Sequence, residues 1–171
     1  MREPAVKLSF MKKINPFLWF DSEAEQAAKF YVGIFKNSKI ARIARYGEEA
    51  AQKTGRPAGS VMTVEFTLDR VEFVALNGGP QLKFTEAISF AVNCETQDEI
   101  DYFWAKLSAD GGSTGRCGWL KDKFGLSWQV NPAFLRDMLA DPDAGKANRV
   151  IKAMMEMDKI DIAALEKAAK R

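Results

Sequence analysis

The sequence predicts an α+β protein of two tandem βαβββ modules, residues 14–80 and 84–131, followed by C-terminal helices at 132–171. Three observations lead there. Short apolar and aromatic runs of strand length alternate with single stretches of helical periodicity. The order strand, helix, strand, strand, strand occurs twice. Shifting the first helix by 73 positions superposes Ala27, Phe30, Tyr31 and Ile34 on Ile100, Phe103, Trp104 and Leu107. With 171 residues, 47% of them hydrophobic, the paired modules at 14–131 read as one domain with a sizeable core.

Residues 14–20 (INPFLWF) form the first strand. Pro16 pushes it to a sheet edge or strand start, because proline cannot donate to the ladder. Asp21 or Ser22 caps the first helix, with Glu23 and Glu25 in its first turn and Ala27, Phe30, Tyr31, Ile34 and Phe35 on its buried face. Residues 38–46 are a strand around Ile40 and Ile43, and residues 47–59, with Gly55, Pro57 and Gly59, are a loop. Residues 61–68 alternate, with Met62, Val64, Phe66 and Leu68 on one face and Thr63, Glu65 and Thr67 on the other. A tight turn at Asp69-Arg70 leads into a strand at 71–76, which Asn77-Gly78-Gly79-Pro80 ends. In the second module 87–94 is a strand, Thr96 with Glu99 fits a capping box, and Gly111-Gly112 ends the helix. Residues 113–123 and 126–131 are strands joined by a turn at Phe124-Gly125. Helices follow at 134–139, 148–157 and, capped by Asp161, 162–170; Asp141-Pro142-Asp143 breaks the first from the second. Residues 1–13 are an N-terminal arm without an apolar run of signal length, Met11 being an alternative start.

The chain has no histidine, which excludes a Ser-His-Asp triad, a Cys-His pair and every His-ligated metal site. Lys plus Arg is 25 against 23 Asp plus Glu, too balanced for nucleic acid or an anionic membrane as partner. No stretch approaches the ~20 apolar residues of a membrane span. Cys94 and Cys117 read as packed thiols of a reducing cytosol rather than one disulfide, so the expected location is cytoplasmic. Neither Gly78-Gly79-Pro80 nor Gly111-Gly112 fits a strand-turn-helix loop that cradles a nucleotide-like cofactor. No cofactor is expected.

The doubled module resembles the vicinal oxygen chelate superfamily of glyoxalases, bleomycin-resistance proteins and extradiol dioxygenases. More narrowly, INPFLWFD (14–21), SVMTVEF (60–66), ALNGGP (75–80), FTEAISF (84–90), CGWLKDKFGLSWQ (117–129) and KIDIAALE (159–166) are similar to the PhnB-like subgroup. Some of its members are labelled demethylubiquinone methyltransferase domains. The resemblance implies a curved, incompletely closed barrel around a cavity, and a homodimer. It also implies four metal-ligand positions, matched here by Asn15, Ala75, Ala87 and Gln129. Two alanines and two neutral amides make a metal-assisted reaction improbable, and no metal is expected.

Taking Asn15 and Gln129 as inward, period-two alternation places Phe17 and Trp19 with Asn15, and Ser127 and Asn131 with Gln129. Glu65 and Asn77 fall on the inward faces of their strands by the same argument, and Trp119 and Lys121 share one face of theirs. The candidate ligand-binding residues are therefore Asn15, Phe17, Trp19, Asn77, Trp119, Ser127 and Gln129. Lys121 is a candidate partner for an anionic ligand group, and Glu65 is the one acid-base candidate. Cys117 lacks the His partner a nucleophile needs. The expected function is metal-free binding of a small, partly aromatic or apolar metabolite. One alternative is a metal-independent enzyme using Glu65. Another is an interaction module presenting the stripe Val150, Ile151, Met154, Met155 and Met157.

Overall fold

The structure, a computed structural model, describes residues 13–170. The N-terminal arm expected at 1–13 lies, but for Lys13, outside the described residues. The chain divides into two compact units, one ending at Leu82 and one beginning at Lys83.

The first unit runs β1 (Phe17–Phe20), α1 (Ala24–Ile34), β2 (Lys39–Arg45), α2 (Glu48–Thr54), β3 (Val61–Leu68) and β4 (Val71–Asn77). Its open sheet has the order β1-β4-β3-β2, with β1 parallel to β4 and the other pairs antiparallel. Helix α1 covers one face. Leu18, Phe20, Val64, Phe66, Leu68, Phe73 and Ala75 are buried there, and Phe66 stacks between Tyr31 of α1 at 6.3 Å and Phe73 at 5.4 Å. Strand β1 starts three residues later than expected, because Pro16 offers only its carbonyl, which accepts from Val74 N. The expected loop at 47–59 contains α2. Its body, EEAAQKT, is made of good helix formers, and the glycines sit at its ends, Gly47 as N-cap and Gly55 as left-handed C-cap. Neither Asp21 nor Ser22 caps α1; the Oδ1 of Asn77, across the sheet, accepts from Ala24 N at 2.8 Å.

The second unit repeats the topology with β5 (Ser89–Cys94), α3 (Gln97–Leu107), β6 (Ser113–Thr114), β7 (Trp119–Lys121) and β8 (Ser127–Pro132), in the order β5-β8-β7-β6 with β5 parallel to β8. Thr96 caps α3 as expected, its Oγ1 accepting from Glu99 N, while Glu99 reaches back to Glu95 N rather than to Thr96 N. The strand expected over 113–123 is broken by a turn at 115–118 that carries positive φ at Cys117 and Gly118. The carbonyls of Met157 and Asp158, distant in sequence, accept from those two amides and hold the turn. Both cysteines are free, Cys94 buried and Cys117 half-buried. Burial, with Glu99 nearby, pushes the Cys94 thiol up to about 12.

Three helices complete this unit: α4 (Leu135–Leu139), α5 (Ala144–Met155) and α6 (Ile162–Ala169). Asp141-Pro142-Asp143 separates α4 from α5 as expected, and α5 begins four residues earlier than expected because Asp143 is its N-cap. Its apolar stripe is divided: Val150 is buried, while Ile151 and Met155 are exposed. The Gln97 side chain clamps the approach to α6, donating to Ile160 O and accepting from Ile162 N. No helix among the described residues is long and apolar enough to cross a membrane.

Candidate functional site

In each sheet the residues that do not face the helix form a second, more polar surface. On the first sheet the register aligns Phe17 with Val74, Trp19 with Leu76, and Glu65 with Val74 and Arg42. Phe17, Trp19 and Glu65 therefore share one face. Phe17 is 60% exposed. Trp19 is half-buried, and its Nε1 donates to Gly79 O at 2.8 Å. The ring lies so close to Gly78 that a Cβ there would stand 2.3 Å from it. Gly78 and Gly79 are thus a seat for Trp19, a use the sequence breaks off without revealing. Asn15 precedes β1, and its Oδ1 is buried without a hydrogen-bond partner. Glu65 is engaged by Arg42, whose Nε and Nη2 both donate to its Oε1.

Asn77 does not join this face. It pairs with Phe20, alternates with Leu76, and lies on the helix-packed side. Its amide is engaged at both ends: Oδ1 accepts from Ala24 N and Nδ2 donates to Val61 O at 3.1 Å. The expectation that Asn77 and Glu65 face the same way is corrected by the ladder. Thr63, two residues before Glu65, pairs with Leu76 rather than with Asn77.

On the second sheet the register sets Trp119 opposite Gln129, Lys121 opposite Ser127, Ser89 opposite Ser127 and Ala91 opposite Gln129. Trp119, Ser127, Gln129 and Lys121 thus lie together on the helix-free face, with Asn131 further along β8. The Nε2 of Gln129 donates to Ser89 Oγ at 2.8 Å. Ser127 Oγ and Asn131 Oδ1 are buried without protein partners. Lys121 is ion-paired with Glu86, which holds that carboxyl below its usual range. Sequence reasoning missed Ser89, because β5 was started at Ala87, and missed Asp122, whose carboxylate holds the loop between β7 and β8. An Asp three residues before a Gly was the available turn signal for Asp122.

The four positions matched to a metal site do not fit an ion. Ala75 is fully buried on the helix-packed face, and its open-face neighbours are Val74 and Leu76. Ala87 is exposed in a turn ahead of β5. Asn15 and Gln129 offer neutral amides, and the Gln129 amide is bonded to Ser89. Among the described residues no three His, Cys, Asp or Glu side chains stand together as a ligand set.

Residues 12–131 match the family model described as 3-demethylubiquinone-9 3-methyltransferase. Among solved structures, a PhnB protein from Bacillus cereus is 36% identical, with a TM-score of 0.62 over 70% of this chain and 98% of that one. Protein PA1353 from Pseudomonas aeruginosa is 19% identical, with a TM-score of 0.57 over 71% and 97%. The fosfomycin resistance protein FosX from Mesorhizobium loti, 12% identical with a TM-score of 0.53 over 76% and 98%, shares the fold. No curated protein matches. The family's description implies a methyl-donor cofactor, and the strand-to-helix junctions do not fit one. β1 meets α1 through Asp21, Ser22 and Glu23 with no glycine, and the amides of Ser22 and Ala24 are taken by Glu23 and Asn77. At the start of α3 the amides of Glu95 and Glu99 are likewise taken, by Glu99 and Thr96. What the match establishes is kinship: this chain belongs to the 3-demethylubiquinone-9 3-methyltransferase family, the PhnB-like group of the vicinal oxygen chelate superfamily.

Proposed function

We propose that the protein is a metal-independent, cytoplasmic homodimer that binds a small metabolite against the helix-free face of its second sheet. The observation that carries this is the Gln129 amide. It is half-buried, pinned by Ser89 and directly opposite Trp119. Its Oε1 stays available beside an aromatic face, the combination of apolar surface and a few placed polar groups that orients a small ligand. Ser127 and Lys121 add a hydroxyl and an ammonium on the same face. The two free thiols suit a reducing compartment. The donor set described above supports metal independence.

Native mass spectrometry of freshly purified protein tests the reading. The expected spectrum is a dimer without stoichiometric metal, carrying a ligand that Trp119→Ala and Gln129→Ala each release. A chelator should leave the thermal midpoint unchanged. About one zinc, iron, nickel or manganese per chain after dialysis would overturn metal independence, and a clean monomer would overturn the dimer. A ligand retained by both variants would move the site elsewhere.

A further inference from the structure

We propose that the first unit carries a second binding site on its helix-packed side, a cleft that takes a small oxyanion, the carboxylate or phosphate of a metabolite, on Arg56. The cleft holds about 510 Å³, within the range of small-molecule sites. One wall is the start of α1, with Ser22, Glu25, Gln26 and Lys29; the other is the segment after α2, with Arg56; Asn77 also lines it. None of these is on the helix-free faces discussed above.

The cleft is built before any ligand arrives. Asn77 ties its walls together, accepting from Ala24 N at the head of α1 and donating to Val61 O at the end of the opposite segment. Tyr46 donates to Asn77 O at 2.6 Å and fixes the same point. Ser60 Oγ is bonded to Pro57 O. Such bracing lowers the ordering cost of binding.

Arg56 supplies the charge. Its side chain is only 19% exposed, and its Nη2 is fixed by Asp21, to the backbone O at 2.5 Å and to Oδ1 at 2.9 Å. Its Nε and Nη1 have no protein acceptor among the described residues. Neither group is sealed from solvent, so both are open to an incoming acceptor, and a charged one binds them most strongly. The carboxylates close by are occupied: Glu25 by Lys29 at 2.6 Å, Glu23 by Ser22 N, Asp21 by Arg56 itself. Lys29, with Arg45 in support, holds the Glu25 carboxyl below its usual range, so it stays an ionised carboxylate paired with Lys29. Lys29, across the cleft, is already paired with Glu25, which leaves Arg56 as the cation for the ligand.

The test is an NMR titration of ¹⁵N-labelled full-length protein with inorganic phosphate and, separately, with acetate, at fixed ionic strength. Saturable shifts at amides 22–29 and 56–61 are expected, weakened about tenfold or more by Arg56→Gln, a loss the size of one charge-assisted bond. Asp21→Asn should tighten binding by removing the carboxylate that shares the guanidinium. It also decides the matter if Arg56→Gln fails to fold. Lys36→Gln, an exposed lysine outside the cleft, should change nothing. Tighter phosphate than acetate identifies a phosphorylated ligand, and the reverse an organic acid. Shifts that fail to saturate with either anion, or that Arg56→Gln and Asp21→Asn both leave unaltered, overturn the site.

Discussion

Asp122 is 3% exposed and takes three hydrogen bonds, from Phe124 N, Leu126 N and the Trp128 Nε1 at 2.8 Å. Asp122→Ala leaves those buried donors unmet, and we expect a loss of about 3 kcal/mol or more in urea unfolding. A loss under about 1 kcal/mol would mean that water reaches the loop. At Gly78, an added Cβ would meet the Trp19 ring at 2.3 Å. Gly78→Ala is therefore expected to swing the indole away from Gly79 O, shifting the Trp19 indole N–H resonance and costing about 1–3 kcal/mol. An unmoved resonance would show that the backbone yields instead. The same two residues mark how far the site was legible. Period-two alternation put Trp19 with Phe17, and Trp119 with Lys121, because it needs only the strand. It failed for Asn77, expected on the face of Glu65 but set on the opposite one by the ladder, since a slip of one residue inverts a face.

At the scale of elements, the strands with clean alternation were found to within a residue, β3 at 61–68 without error. The errors lie where glycine or aspartate had two readings. Glycines at 47 and 55 bounded α2 rather than emptying it of structure, and Asp143 both closed the break after α4 and began α5. The interruption between β6 and β7 had a local signal in Gly115 and Gly118, but its Cys117 and Gly118 amides bond far along the chain, to Met157 and Asp158. The C-terminal helices are bound in just this non-local way, through Gln97 to Ile160 and Ile162. Gln97→Ala should raise the hydrogen-exchange rate of the Ile162 amide and of α6 at least about tenfold, while the amides of β3 stay unchanged. Equal acceleration in both places would show that α6 opens only with global unfolding.

For the whole molecule, the absence of histidine leaves few groups to titrate near neutrality. Glu25, Glu86, Asp101 and Asp141 have carboxyls held below their usual values, first by hydrogen bonds from Lys29, Lys121, Lys159 and Lys146. Their folded values lie below the unfolded ones, so this stability is present above about pH 4–4.5 and fades as the pH falls further. Cys94 works on the other side. Its thiol is raised from about 9 to about 12, so the unfolded chain ionises first and stability falls as the pH climbs through that interval. Calorimetry should show a thermal midpoint level between about pH 6 and 7.5, falling on either side, with Cys94→Ala flattening only the alkaline limb. A step inside the level region would contradict this.

The sequence alone determined the doubled βαβββ order, the α+β class and the family. Apolar periodicity and capping residues act over a few positions and so survive in one dimension. It also determined what chemistry is missing, since residues not in the chain can appear in no fold. The tertiary structure decided which faces hold which residues, that Asn77 ties the head of α1 to the start of β3, and that Arg56 is half-buried against Asp21 with N–H groups to spare. Those outcomes depend on hydrogen bonds between residues dozens of positions apart, such as Asn77 with Ala24 at a separation of 53. Only the folded chain brings such partners together.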